Sequence, residues 1–320
     1  MRFDFVHCHG SGNDFPLIDA GGHVLDDAGW AVVARALADR SGPVGGDGLL
    51  LLGEGGGDAD FSMRMFNPDG SEAELCLNGL RCVARAGFAA SGIEEATVRC
   101  KASSVAVARA GEVAPGVYGV REIAGPASLD AAAWPIVGAE RVVEARVLGL
   151  PGERLFTAVA MPNPHLVTFV DTVDEAELVA VGEVCEAAPD WLPNRANVSF
   201  VEVRGDALFV LTFERGVGLT DSCGSAMAAS TYAACLTGRI GWDRMTTVLN
   251  RGGMVRACAG ADAMVTIVGN ATWEYSGGVD VDLETGVASG LVVSERFDEE
   301  VAAWELVRSG ARGKPVDASV

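Results

Sequence analysis

The 320 residues are too many for one compact core and suit two domains of about 150 residues each; with 49% apolar and 21% charged side chains, the composition excludes a mainly disordered chain. With 44 acidic against 24 basic residues the net charge is −20, which argues against a general nucleic-acid binder and against an anionic membrane surface. The start, Met1-Arg2-Phe3-Asp4-Phe5, has no apolar export segment, and no apolar run reaches the ~18 residues of a membrane helix, so a cytoplasmic protein without a membrane span is expected.

Phe3 to Asp19 reads as a strand, a turn at Gly10-Ser11-Gly12-Asn13, and a second strand. Asp26 or Asp27 caps a helix with Trp30, Val33 and Leu37 on its apolar face, and Ser41-Gly42-Pro43 ends it. Gly46-Asp47-Gly48 turns into the strand Leu49 to Leu52, and Phe61, Met63 and Met65 alternate along another. After the loop Asn67-Pro68-Asp69-Gly70-Ser71, the spacing of Leu80, Val83, Ala84, Gly87 and Phe88 predicts a helix starting near Cys76 to Gly79. Thr97 to Ala108 and Glu112 to Glu122 read as strands. Strands with single helices predict an α+β fold.

The second half repeats this plan weakly. Asn163-Pro164-His165 leads into a strand ending at Asp171, as Asn13-Asp14-Phe15 leads to Asp19, and Leu208 to Phe213 matches Phe61 to Phe66. Phe213 stands ten residues before Cys223, and Phe66 ten before Cys76. The offset is 147 residues for the Phe and Cys pairs and 150 for the Asn pair, which points to two halves with pseudo-twofold symmetry. Beyond Leu283 the pattern fades; Val301, Trp304 and Val307 predict one short helix capped near Asp298, and a loose tail is expected from Ser309.

Chemistry centres on the cysteines. There are eight, at 8, 76, 82, 100, 185, 223, 235 and 258, with no CxxC pair, so neither a zinc ribbon nor a disulfide scaffold is expected. His7 and His9 flank Cys8 without convincing further ligands, and Gly53-Glu54-Gly55-Gly56-Gly57 lacks the Lys of a phosphate loop; no metal or nucleotide site is expected. Cys76 and Cys223 differ from the others, because each precedes a small-residue helix. Unpaired N–H groups there favour a thiolate and a bound carboxylate. One thiolate removes an α-proton from one face and the other thiol returns a proton on the opposite face.

His9-Gly10-Ser11-Gly12-Asn13-Asp14-Phe15, Gly45-Gly46-Asp47-Gly48, Phe66-Asn67-Pro68-Asp69-Gly70-Ser71-Glu72-Ala73-Glu74-Leu75-Cys76-Leu77-Asn78-Gly79-Leu80-Arg81-Cys82, Asn163-Pro164-His165 and Glu214-Arg215-Gly216-Val217-Gly218 with Cys223-Gly224-Ser225 together resemble the diaminopimelate epimerase family, in order from about residue 3 to about residue 275. The resemblance implies an α+β fold of two pseudo-symmetric domains, each a strand-rich barrel-like sheet around a central helix. It implies a first half over 1–124 rejoined by a strand at 270–283, a second half over 125–269, and an extension over 284–320. It implies a homodimer and cofactor-independent interconversion of LL- and meso-diaminopimelate. Cys76 and Cys223 match the catalytic positions, with His165 and Glu214 near the reacting amino group and thiols. Asn13, Asn67, Asn163, Asn197 and Arg215 match positions that grip the distal amino-carboxylate, and Asn78, Gly79, Gly224 and Ser225 those whose backbone amides hold the reacting carboxylate. Four carboxamides and a guanidinium suit a second zwitterion.

The sequence departs from the family pattern at Leu77, where Gly follows the cysteine, and at Ala226, Leu219 and Asp221-Ser222. If position 77 required a left-handed backbone, Leu would cost about 1–2 kcal/mol there. Asp221 close to Cys223 would raise that thiol's pKa. Two further readings stay open at this point: a racemase of another amino acid on the same scaffold, and a non-catalytic amino-acid-binding paralogue.

Overall fold

A computed structural model describes residues 1–131 and 136–312. The elements in chain order begin with β1 (Arg2–Gly10), β2 (Asn13–Asp19), α1 (Asp27–Ala38), β3 (Leu49–Gly56), β4 (Ala59–Phe66), α2 (Leu77–Ser91), β5 (Glu95–Arg99), β6 (Ser104–Ala114) and β7 (Val117–Ala124). They continue with β8 (Thr157–Ala160), β9 (Pro164–Val170), α3 (Glu175–Glu186), β10 (Asn197–Arg204), β11 (Ala207–Glu214), β12 (Gly218–Thr220), α4 (Gly224–Leu236), β13 (Thr246–Asn250) and β14 (Gly253–Ala259). The chain ends with β15 (Val265–Asn270), β16 (Thr272–Asp282), β17 (Val287–Arg296) and α5 (Asp298–Arg312). Two compact units result: Met1–Glu122 with Val268–Val307, and Ile123–Ile267 with the stretch from Arg308.

In the first unit β1 pairs antiparallel with β2, β2 parallel with β3, β3 antiparallel with β4, β4 parallel with β5, and β5 antiparallel with β6. In the second unit β8, β9, β10, β11, β13 and β14 repeat that sequence of antiparallel and parallel pairings step by step. Each parallel step needs a crossover, and helices supply it: α1 and α2 in the first unit, α3 and α4 in the second. The fold is α+β, with α2 packed against all of β1 to β6 and α4 against β8 to β11, β13 and β14. Each sheet wraps its central helix.

Local chemistry explains the boundaries. Asp26 accepts a hydrogen bond from the Gly29 amide at 2.8 Å and caps α1; Asp174 caps α3 in the same way. Gly92 ends α2 in a left-handed conformation. The outer face of the first sheet and α1 bury Phe3, Phe5, Ile18, Trp30, Leu37 and Leu49 in one cluster. In the second unit Leu166, Leu178, Phe200, Phe209, Leu211 and Phe213 do the same with α3.

The stretch read as one strand from Thr97 to Ala108 is two. The chain reverses after β5, where the Cys100 amide bonds the Ser103 carbonyl at 2.7 Å, and β6 returns against β5. The strand expected over Glu112 to Glu122 is likewise broken, by a turn at Gly116 with φ +76° between β6 and β7. From Leu283 to Arg312 the chain forms regular structure: β17 adds to β16, and α5 continues through Arg312 where a loose tail was expected from Ser309. The remainder of that expected tail, residues 313–320, lies outside the described residues. No helix among the described residues is long and apolar enough to cross a membrane.

Candidate active site

Each unit assembles its own polar cluster around one cysteine. Cys76 is the N-cap of α2, with φ −133° and ψ 105°; Cys223 is the N-cap of α4, with φ −129° and ψ 113°. The two therefore hold equivalent places in the repeated topology, each at the positive end of a central helix.

In the first unit the Gly79 amide donates to Cys76 Sγ at 3.4 Å, and the thiol reaches Asn13 Oδ1 at 3.7 Å. Asn13 Nδ2 donates to Asp47 Oδ2 at 2.6 Å, which leaves its oxygen turned to the sulfur. Asn78 Nδ2 also approaches Asn13 Oδ1, at 3.5 Å. Behind the first turn of α2 the side chains of Arg81 and Glu122 are fully enclosed and paired at 2.6 Å. Burial lifts the Glu122 carboxyl to about 7 despite that guanidinium. Gly10 lets β1 pass over this turn: a Cβ there would lie 2.5 Å from the Asn78 carbonyl oxygen.

In the second unit a chain of contacts runs from the end of β11 to the other thiol. The Arg215 amide donates to Asn197 Oδ1 at 2.8 Å, and Asn197 Nδ2 lies 3.4 Å from His165 Nε2. His165 Nε2 is 3.1 Å from Asn163 Oδ1, Asn163 Nδ2 donates to Ser225 Oγ at 3.1 Å, and Ser225 Oγ is 3.5 Å from Cys223 Sγ. His165 is 0% exposed, and burial, helped by the Arg215 charge, lowers its pKa to about 3. The ring is neutral at physiological pH. Arg215 also donates from Nη1 to the Asn194 carbonyl, and the Gly216 amide bonds Glu186, so the turn that carries half-buried Glu214 is tied down.

The predicted residues thus divide by unit. Asn13, Asn78 and Gly79 gather at Cys76; Asn163, His165, Asn197, Arg215, Gly224 and Ser225 belong with Cys223. Asn67 makes its contacts within its own turn, donating to Ser71 Oγ at 3.0 Å. Leu77 opens α2 as a buried helical residue without positive φ, so the left-handed strain considered for it does not arise. Leu219 packs on the core of the second unit, and Ala226 is buried in α4. Asp221 is exposed, and its carbonyl accepts from the Gly252 amide at 3.1 Å. Burial lifts Cys8, Cys100, Cys185, Cys235 and Cys258 above the ordinary thiol range, as suits inert packing residues.

Several residues of these clusters carry no strong sequence signal. Asp47 lies in the Gly45-Gly46-Asp47-Gly48 motif of the family resemblance, but no role was read for its carboxylate. Arg81 follows Asn78 by one helical turn. Its partners Glu122 and Asn270 are 41 and 189 residues away and have no distinguishing local context. Asn250 holds Ser222, the neighbour of Cys223, at 3.0 Å from β13.

Solved structures share this architecture at low identity. A phenazine biosynthesis protein of the PhzF family from Bacillus anthracis superposes with TM-score 0.64 and 15% identity over 88% of this chain and 100% of its own. A hydroxyproline epimerase from Agrobacterium vitis does so with TM-score 0.61 and 14% identity over 95% and 96%. The fold defines the class: an α+β protein of two units built on one repeated topology. The family model described as diaminopimelate epimerase matches residues 5–119 and 157–274. Diaminopimelate epimerases from Clostridium acetobutylicum and Synechocystis are each 34% identical, over 95% and 88% of this chain and 93% and 100% of their own lengths. The chain belongs to the diaminopimelate epimerase family and is an isomerase.

Proposed function

We propose that the protein interconverts LL- and meso-diaminopimelate without a cofactor, using Cys76 and Cys223 as the two acid–base groups. The observation that carries this reading is the matched N-cap placement of the two thiols in a duplicated topology. In the step, the thiolate of one cysteine takes the α-hydrogen as a proton, forming S–H and leaving the electron pair on Cα. The other thiol gives its proton to the opposite face of Cα. The stereocentre is inverted, no atoms are gained or lost, and the two sulfurs have exchanged protonation states. Backbone amides of Asn78, Gly79, Gly224 and Ser225 receive the carboxylate and the charge that develops on it. Acid–base transfer by a positioned group contributes roughly 10²–10⁴-fold. Asn13, Asn67, Asn163, Asn197 and Arg215 supply acceptors and donors for the distal zwitterion, and Glu214 accepts from an ammonium group. His165 has no exposed surface, so it serves as a positioning residue for Asn163 and Asn197.

The test is conversion of purified LL-diaminopimelate to the meso isomer, followed by chiral chromatography beside alanine, lysine, glutamate and proline. Selective conversion of diaminopimelate is expected. Racemisation of one of the others in its place would assign the scaffold to a different amino acid.

A further inference from the structure

The guanidinium of Arg81 is enclosed at the base of the Cys76 cluster, and its five N–H groups meet five acceptors. Nε donates to the Asn270 carbonyl at 3.0 Å. Nη1 donates to Glu122 Oε1 at 2.6 Å and to the Leu77 carbonyl at 3.5 Å. Nη2 donates to Asn78 Oδ1 at 2.8 Å and to Ser11 Oγ at 3.3 Å. Arginine offers five donors in a fixed plane and accepts nothing.

That one-sided chemistry has a consequence for Asn78. A primary carboxamide has an acceptor end and a donor end of nearly equal size, and it turns about its Cβ–Cγ bond unless its partners discriminate. A group that only donates selects the oxygen. Asp47 applies the opposite selection to Asn13, because a carboxylate only accepts and so takes the NH₂ end at 2.6 Å. The two amides of the Cys76 cluster are thereby set in opposite senses: Asn13 presents its oxygen to the thiol, and Asn78 presents its NH₂ to that same oxygen.

We propose that Arg81, clamped by Glu122, is a positioning residue of the Cys76 half-site: it holds the first turn of α2, whose backbone N–H groups receive the carboxylate in the reading above, and the Asn78 carboxamide, whose NH₂ meets the Asn13 oxygen beside the thiol. The proposal deepens the reading of Cys76 given above and rests on it. Burying a charge pair is costly, and removing one partner strands the other, whereas replacing both with apolar residues is often neutral or stabilising. The double variant leaves no stranded charge, so KM and the Asn78 amide signals, and not stability alone, read a positioning role.

The experiment compares wild type, Arg81→Lys and the double variant Arg81→Met/Glu122→Leu. Denaturant midpoints, kcat and KM for LL-diaminopimelate, and the side-chain amide signals of protein labelled with ¹⁵N-asparagine are measured, Asn78 being assigned by its loss in Asn78→Ala. The double variant is expected to fold with a moderately lowered midpoint, because Asn78 Oδ1, Ser11 Oγ and the Asn270 carbonyl lose their donor, and to lose about 10–100-fold in kcat/KM, mostly as raised KM, because a charged hydrogen bond made in ground and transition state alike is weakened. Arg81→Lys, with three donors for five acceptors, is expected to fall between the two. The Asn78 amide signals move in both. A stable double variant with wild-type KM, or Asn78 signals that do not move, overturns the proposal. A wild type that binds but does not epimerise diaminopimelate defeats the functional reading instead, and the amide signals then decide the role of Arg81 alone.

Discussion

His165 and His9 are both buried and both held neutral, at pKa values of about 3 and about 4, chiefly by loss of solvent around the ring. In the unfolded chain each titrates near 6.5. Between pH 6.5 and those lower values the unfolded chain binds more protons than the folded one, so stability is complete above pH 6.5 and declines as pH falls. At about 1.4 kcal/mol per unit, each ring costs about 2 kcal/mol by pH 5. The urea midpoint should fall steadily from pH 7 to pH 5, and His165→Gln should flatten that slope. An unchanged slope would show that His165 is not the group titrating. His7 acts in the other direction: burial opposes its protonation, but the Glu274 contact at 2.5 Å outweighs that and raises its pKa. Its contribution is present below pH 6.5 and fades as pH climbs through the raised value, outside the acid window. The sequence marked His165 through Asn163 beside it. Its enclosure was not legible, because Asn197, which meets the same ring nitrogen as Asn163, stands 32 residues on.

Helices and strands carried a clearer signal where one face meets the core and the other does not. Trp30, Val33 and Leu37 repeat at helical spacing, and Phe61, Met63 and Met65 at strand spacing, and both elements form where that spacing places them. β17 had no such signal, since most of its residues face outward and no apolar alternation marks it. It lies on β16 through a register with two irregularities. α5 is fastened by Trp304, which is 1% exposed and lies 5.7 Å from the His9 ring. Trp304→Ala should cost about 3–5 kcal/mol, read as a lowered urea midpoint. A loss under ~1 kcal/mol would mean that α5 is peripheral to the first unit. The N-caps show what sequence cannot convey at this scale. Cys76 and Cys223 share backbone angles, but only Cys76 accepts an amide hydrogen as a side-chain cap, so equivalent positions differ in their hydrogen bonding.

Across the whole molecule the duplication is the organising fact. Matching offsets of 147 and 150 residues pointed to it, and the identical order of antiparallel and parallel pairings in the two units is its structural form. In the proposed reaction the thiol of one half removes the α-proton and the thiol of the other returns a proton to the opposite face. The central claim is therefore that both units contribute one acid–base group to a single reaction. The most direct test follows LL-diaminopimelate in D₂O with wild type, Cys76→Ala and Cys223→Ala. With two bases, early meso product carries one solvent deuterium at the inverted Cα while the remaining LL substrate keeps its hydrogen, and each variant loses inversion by at least ~10³-fold. Product that retains the substrate's own hydrogen, or a single-cysteine variant that still inverts at the wild-type rate, would contradict the account.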